Sequence, residues 1–248
     1  MLGEIWAIIV KEWKMLFLSR GNRRNNGWYS IVVAIGLIGI YMPVLTKEAW
    51  ITDPTSMIMW AWMPIFWSLG IITSAIAGER EAHTLETLLA SRLSDSAILI
   101  GKMLSAVLYG WGLMFISTLV GVIVVNIAFI EGPFQFYKVD VFLAAQLAIF
   151  LMATMFSAIG VLVSLKAPTA RQAYQRLSIV MLILYIGPMM IVSFLPDELI
   201  VQWIARFEGV TLNWDVLVPA ALAVLLLIDV GLFLVAKVRF QRTKLILA

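Results

Sequence analysis

Gly78-Glu79-Arg80-Glu81-Ala82-His83-Thr84-Leu85-Glu86-Thr87-Leu88-Leu89 is a charged stretch between two long apolar runs, Met57 to Ala77 and Met103 to Ile130. Charged side chains are costly in hydrocarbon, so a chain threading a bilayer leaves it here and re-enters afterwards. From Glu79 to Ser94 the leucines 85, 88, 89 and 93 recur at three- and four-residue spacing, while Glu79, Arg80, Glu81 and Glu86 fill other positions. That pattern predicts a short amphipathic helix lying along the membrane surface. Ser94 or Asp95 then caps the next helix, because either side-chain oxygen can accept from its first free amides.

The bilayer setting follows from composition. Of 248 residues, 62% are hydrophobic and 13% charged, with a mean hydropathy of +0.97, far from a soluble globular average. A crossing needs about 17 to 25 residues, so the chain has room for about six helices with short connections and no sizeable soluble domain. The absence of cysteine excludes disulfides, thiolate metal sites and cysteine nucleophiles.

Outward from the opening stretch, apolar windows predict six spans: Trp28 to Leu45, Met57 to Ala77, Met103 to Ile130, Val141 to Leu165, Leu177 to Leu195 and Val216 to Ala236. The third is long enough to tilt or protrude. Gly187-Pro188 in the fifth and Pro219 in the sixth predict kinks. Of the 18 lysines and arginines, 15 fall in the amino-terminal segment, residues 79 to 102, residues 166 to 176 and the tail. The alternate loops hold only Lys47, Lys138 and Arg206 against eight acidic residues. The positive-inside rule then makes both termini cytoplasmic, which an even number of spans satisfies.

Residues 1 to 26 read as an amphipathic cytoplasmic interfacial helix and not a signal peptide, since Lys11, Glu12 and Lys14 interrupt the apolar run. Leu2, Ile5, Trp6, Ile9, Trp13, Leu16 and Phe17 share one helical face, Glu4 and Lys11 mark the other, and Arg20, Arg23 and Arg24 follow as anchors. Trp6, Ile9, Lys11, Trp13 and Lys14 serve either a lipid anchor or a lever beside a cytoplasmic partner.

Gly78-Glu79-Arg80-Glu81, Thr84-Leu85-Glu86, Leu88-Leu89, Leu93-Ser94 and Gly101-Lys102 together resemble the signature of ABC-2 type transporter permeases. The amino-terminal helix, six spans and short loops are similar to that family across nearly the whole chain. The resemblance implies that Glu79 to Leu93 is a coupling helix docking on a cytoplasmic ATPase. Its contacts would be Glu79, Arg80, Glu81, His83, Thr84, Leu85, Glu86, Leu89 and Arg92. Two residues depart from the pattern: His83 stands where the family usually has glycine, and Arg92 where it often has proline. The resemblance further implies export, a second permease copy or paralogue, and a bacterial or archaeal cytoplasmic membrane.

This chain carries no energy source of its own. A P-loop needs GxxxxGK followed by Ser or Thr, whereas Gly101-Lys102 has Ser96 at the first glycine position and Met103 after the lysine. The expectation is therefore no enzyme activity and no cofactor in this chain, with ATP and magnesium held by a partner subunit. Glu79, His83 and Glu86 share a helical face at spacings of four and three. With no other histidine or cysteine, no metal site is expected. No nucleic-acid role is indicated either.

Asp229 is the one acidic residue deep in a predicted span, so it faces protein, water or a partner subunit. It reads either as a substrate or cation contact on a pathway or as a helix-packing residue. Asn126 and Gln146 invite the same two readings. Trp28, Trp50, Trp60, Trp62, Trp203 and Trp214 read as interfacial belts or as an aromatic cavity. Leu199, Ile200, Trp203, Ile204 and Phe207 make an apolar stripe, read as an external amphipathic or re-entrant helix. Lys166 to Arg176 is a basic loop serving topology or a second ATPase contact.

The expected fold class is all-α, a polytopic membrane protein forming one permease domain. Residues 1–26 are the interfacial helix, 28–236 the six spans and 237–248 a cytoplasmic tail, with the coupling helix between spans 2 and 3. A secondary transporter or channel would need more intramembrane ionisable groups or an internal repeat. A membrane-embedded enzyme would need clustered catalytic groups, and the sequence has none.

Overall fold

A computed structural model describes residues 1–18, 26–53, 56, 60, 62–84, 91–196 and 214–240. Among them every regular element is helical. α1 covers Leu2–Leu18. α2 (Asn26–Ala34), a π-helical stretch (Ile35–Tyr41) and α3 (Met42–Thr46) join end to end without a break, and α4 is Ala49–Thr52. α5 (Trp62–Thr73) runs through a second π-helical stretch (Ser74–Gly78) into the short α6 (Glu79–Glu81). Four long helices complete the chain: α7 (Asp95–Ala128), α8 (Val139–Ser164), α9 (Ala170–Phe194) and α10 (Trp214–Arg239).

Four helices among the described residues are long and apolar enough to cross a membrane: Trp28–Thr46, Asp95–Ala128, Val139–Ser164 and Val216–Arg239. The second expected span corresponds to α5 through α6, and residues 57–59 and 61 lie outside the description. The fifth corresponds to α9, which starts at Ala170 and is helical through Gly187-Pro188. Pro219 likewise sits inside α10. Also outside the described residues are the anchors Arg20, Arg23 and Arg24, the stripe from Leu199 to Phe207, and the tail from 241 to 248.

α7 is the spine. Its 34 residues make a rod of about 51 Å, longer than the expected third span because the helix begins eight residues earlier. Ser94 is its N-cap, accepting from the Ala97 amide at 3.2 Å. α1, α5, α8 and the first π-helical stretch all pack on α7, while α10 packs mainly on α8. One core cluster joins Leu69, Ile72, Ile98, Leu99, Phe156 and Val161. A second joins Ile38, Trp50, Met114, Val125, Tyr137 and Phe142 toward the other end.

Helices in lipid gain little from apolar association alone, so close backbone approach at small residues matters more than in water. A methyl group built on Gly160 would lie 2.5 Å from Ile72 Cγ2, and one on Gly121 would lie 2.4 Å from Trp50 Nε1. Trp50 is thus a buried packing residue fitted to α7, and the interfacial-belt reading of it is corrected; Trp28 remains exposed.

α1 runs parallel to the first part of α7. Ile5 clusters with Ala97, Ile8 covers Gly101, Trp13 Nε1 donates to the Ser105 carbonyl at 3.1 Å, and Phe17 packs its ring on Tyr109. From Tyr109 onward α2 takes over, beginning with a hydroxyl contact between Ser30 and Tyr109. The packed face of α1 differs from the expected stripe. Ile5, Ile8, Ile9 and Glu12 are buried, while Leu2 and Trp6 are exposed. A charged residue belongs to the inward face because its partner waits there.

Candidate functional site

The ends of α5, α7, α8 and α9 nearest Lys102, with α1 alongside, form the basal end of the bundle. Lys102 lies on the second turn of α7 and is completely buried. Gly101 beside it lets α1 approach, since a methyl there would meet Ile8 Cβ at 2.8 Å. That approach brings Glu12 within reach. Lys102 Nζ donates to Glu12 Oε1 at 2.9 Å and to the carbonyl of Ala75, and lies 2.9 Å from Glu79 Oε2 in an ion pair off the hydrogen-bond direction. Glu79 Oε1 accepts from Lys11 Nζ at 2.7 Å.

Two lysines and two glutamates thus form a neutral cluster that ties α1, the start of α6 and α7. Glu12, Glu79 and Lys102 are all buried, whereas Lys11 reaches solvent. Removing several ions from water is tolerable only when they pair and their remaining protons are bonded; here the Ala75 carbonyl takes a further Lys102 proton. Ala75 belongs to the second π-helical stretch, a local distortion often found at functional positions. A small cleft opens beside the cluster, lined by Ala7, Ile8, Lys11, Glu12, Leu93 and Lys102.

The next two residues are also bound within the chain. Arg80 Nη1 donates to the carbonyls of Leu165 at 2.9 Å and Ala167 at 3.4 Å, just past the C-terminus of α8. Glu81 Oε2 accepts from the Ala170 amide at 3.2 Å, at the N-terminus of α9. Both contacts match the helix dipole, a cation at the carbonyl end and a carboxylate at the amide end. The basic loop from Lys166 is therefore held against this segment, with Ala77, Ala167 and Ala173 buried together.

The expected amphipathic helix from Glu79 to Ser94 is not continuous. The helix closes with a Schellman pattern: the His83 amide bonds the Arg80 carbonyl at 3.0 Å, and the Thr84 amide bonds the Glu79 carbonyl at 2.9 Å. His83 has φ 54°, the left-handed conformation that glycine adopts most readily. His83 thus occupies a turn position that a glycine would fill without steric cost. Because the helix stops there, Glu79 and His83 do not share a continuing helical face, and Glu86 lies outside the described residues.

Of the residues assigned to ATPase contact by resemblance, Glu79 is buried, Arg80 and Glu81 bind neighbouring helix ends, and His83, Thr84 and Arg92 are exposed. Leu85, Glu86 and Leu89 lie outside the described residues. On α1, Ile9 is buried, Trp13 is bonded to α7, Lys11 joins the charge cluster, and Trp6 and Lys14 are exposed.

Asn126, Gln146 and Asp229 do not converge. Asn126, near the distal end of α7, donates to the carbonyls of Val122 and Gln135 and accepts from the Gln135 amide at 2.7 Å, fastening the loop between α7 and α8. Gln146 is buried in the first half of α8. Asp229 is buried ten residues before the end of α10, about 15 Å along the helix, and neither carboxylate oxygen has a hydrogen-bond partner among the described residues. The adjoining end of α10 meets the beginning of α7 where Lys237 and Phe240 share a cleft with Asp95 and Leu99.

Sequence reading missed Glu12 and underused Lys102. Glu12 counted only as an interruption of an apolar helix, and Lys102 as a loop-side basic residue within the Gly101-Lys102 part of the signature, without a charge partner. The available signal was opposite charges embedded in otherwise apolar helical faces. Pairing them needed the register between α1 and α7.

No curated protein matches the chain. The family described as ABC-2 family transporter protein matches residues 39–245, which include the signature segment and α5 to α10 but not α1. The chain is an integral membrane protein of the ABC transporter class and belongs to the ABC-2 permease family.

Proposed function

We propose that this chain is the membrane-spanning subunit of an ATP-driven exporter with six spans and both termini in the cytoplasm. Two copies, or one copy and a paralogue, enclose the pathway. A separate ATPase carrying ATP and magnesium docks at the basal end. The observation that supports this most is the convergence of α1, α7, the end of α8 and the start of α9 on residues 79–81, beside the exposed turn at His83 and Thr84. Mechanical coupling needs an exposed partner-facing element rigidly joined to membrane helices, and this end has both parts.

Outward transport and the cytoplasmic orientation rest on the family resemblance and the charge asymmetry of the loops. Exposed Leu2 and Trp6 suit α1 to an interface where one face meets α7 and another meets lipid. The test is recovery of a nucleotide-hydrolysing subunit with the tagged chain from mild detergent. Stoichiometric ATPase whose hydrolysis responds to reconstitution supports the reading. A chain that purifies alone from a membrane containing its genomic partners sinks it.

A further inference from the structure

We propose that Glu79, Arg80 and Glu81 form an internal joint of the permease rather than its contact with the ATPase. The inference rests on the permease reading and changes what the signature residues do within it. Each of the three consecutive side chains is bound to a different part of the same chain. Glu79 joins α1 and α7 through Lys11 and Lys102. Arg80 holds the two carbonyls just past α8, and Glu81 holds the first amide of α9.

These contacts leave Glu79 and Arg80 little capacity for a partner, while Glu81 is exposed but tied to the first amide of α9. Both Glu79 carboxylate oxygens already face lysine ammonium groups, and the side chain is 8% exposed. The Arg80 guanidinium points at carbonyls of its own chain. Beyond the joint the Schellman turn at His83 redirects the backbone, and His83, Thr84 and Arg92 are the exposed polar side chains among the described residues of this connection that bind no other helix. Docking therefore belongs to the exposed turn at His83 and Thr84, whereas the tripeptide transmits.

The consequence is geometric. Displacement of the turn at His83 and Thr84 pulls on α6, and the tripeptide passes that pull to α1, α7, α8 and α9 together. Lys102 adds a cross-tie at the same level, because it also holds Glu12 and the Ala75 carbonyl within the π-helical stretch. A bundle linked in this way responds as a unit, not one helix at a time.

The chain contains no cysteine, so one introduced thiol reports without background. Phe134, 67% exposed in the distal loop, is the reporter position: Phe134→Cys carries a bimane label, in the permease–ATPase complex in lipid nanodiscs. Emission is compared with ADP and with a non-hydrolysable ATP analogue. The variants are Arg80→Met and the charge-neutral pair Lys11→Gln with Glu79→Gln, which keeps Lys102 paired with Glu12. Expected results are ATPase recovery equal to wild type, continued ATP hydrolysis, and at least a fivefold smaller nucleotide-dependent shift at position 134. Arg80→Lys, which retains a donor for the α8 carbonyls, restores part of the shift. Loss of the ATPase from monodisperse variants overturns the inference and makes these residues docking contacts. A full shift in the variants, or none in the wild type, also overturns it. Failure of the wild-type chain itself to recover an ATPase instead rejects the permease reading, a different outcome.

Discussion

Lys102 and Glu12, ninety residues apart in sequence, meet at 2.9 Å with both side chains buried. Glu12 has Lys102 as its ion-pair partner, while Lys102 is also held by Glu79 and the Ala75 carbonyl. Lys102 lies on an apolar helix and Glu12 on the packed face of a second one. Gly101 supplies the clearance that lets them touch.

Lys102→Met leaves buried Glu12 without its ion-pair partner and Glu79 with Lys11 alone. Breaking one side of a buried ion cluster costs about 3–5 kcal/mol. The apparent Tm measured by tryptophan fluorescence in detergent should fall sharply. Adding Glu12→Gln to the same chain leaves a neutral Lys11–Glu79 pair and should recover much of the loss. A double variant worse than the sum of the singles would contradict the pairing.

Gly160→Ala places a methyl 2.5 Å from Ile72 Cγ2 and should cost about 1–3 kcal/mol by overpacking. The remedy lies in the partner. Ile72→Ala removes the opposing atom, so the double variant should be no less stable than Ile72→Ala alone. Additive losses would show that α5 and α8 do not approach at this point.

His83→Gly should stabilise the turn after the second span by about 1 kcal/mol, because a left-handed residue carries a steric cost that glycine avoids. His83→Val should do the opposite, since branching at Cβ makes that conformation harder. Equal apparent Tm values for glycine and valine would contradict the observed backbone.

Ser94→Ala removes the acceptor that caps α7 and should cost about 1 kcal/mol, while Ser94→Asp should retain the cap. Hydrogen exchange at Ala97, whose amide donates to that hydroxyl, gives a local readout. Unchanged protection there would argue against the cap.

Asp229→Leu should raise the apparent Tm, since it removes a buried carboxylate that finds no partner among the described residues. If stability rises while transport stops, the aspartate serves the pathway. A fall in stability would show a packing or hydrogen-bonding role instead.

Several elements were legible because their cause is local. Apolar run length predicted the long helices and Ser94 or Asp95 the cap of α7, whereas the turn at His83 was not read, because the leucine spacing predicted one helix through it. The amphipathic stripe of α1 was only partly legible. Leu2 and Trp6 looked inward by apolarity yet are exposed, and Glu12 looked outward by charge yet is buried. Apolarity cannot tell a face that meets lipid from one that meets protein, because both are dry.

The signature segment shows the same division. Its sequence carried the likeness to the ABC-2 family, which the family match bears out, since residue pattern is a property of the chain itself. Tertiary structure alone decided where those charges go: Glu79 to Lys11 and Lys102, Arg80 to the end of α8, and Glu81 to the start of α9. A charged side chain looks the same in sequence whether it serves a partner or its own fold. The difference lies in which helix ends the fold brings within about 3 Å, the reach of a hydrogen bond.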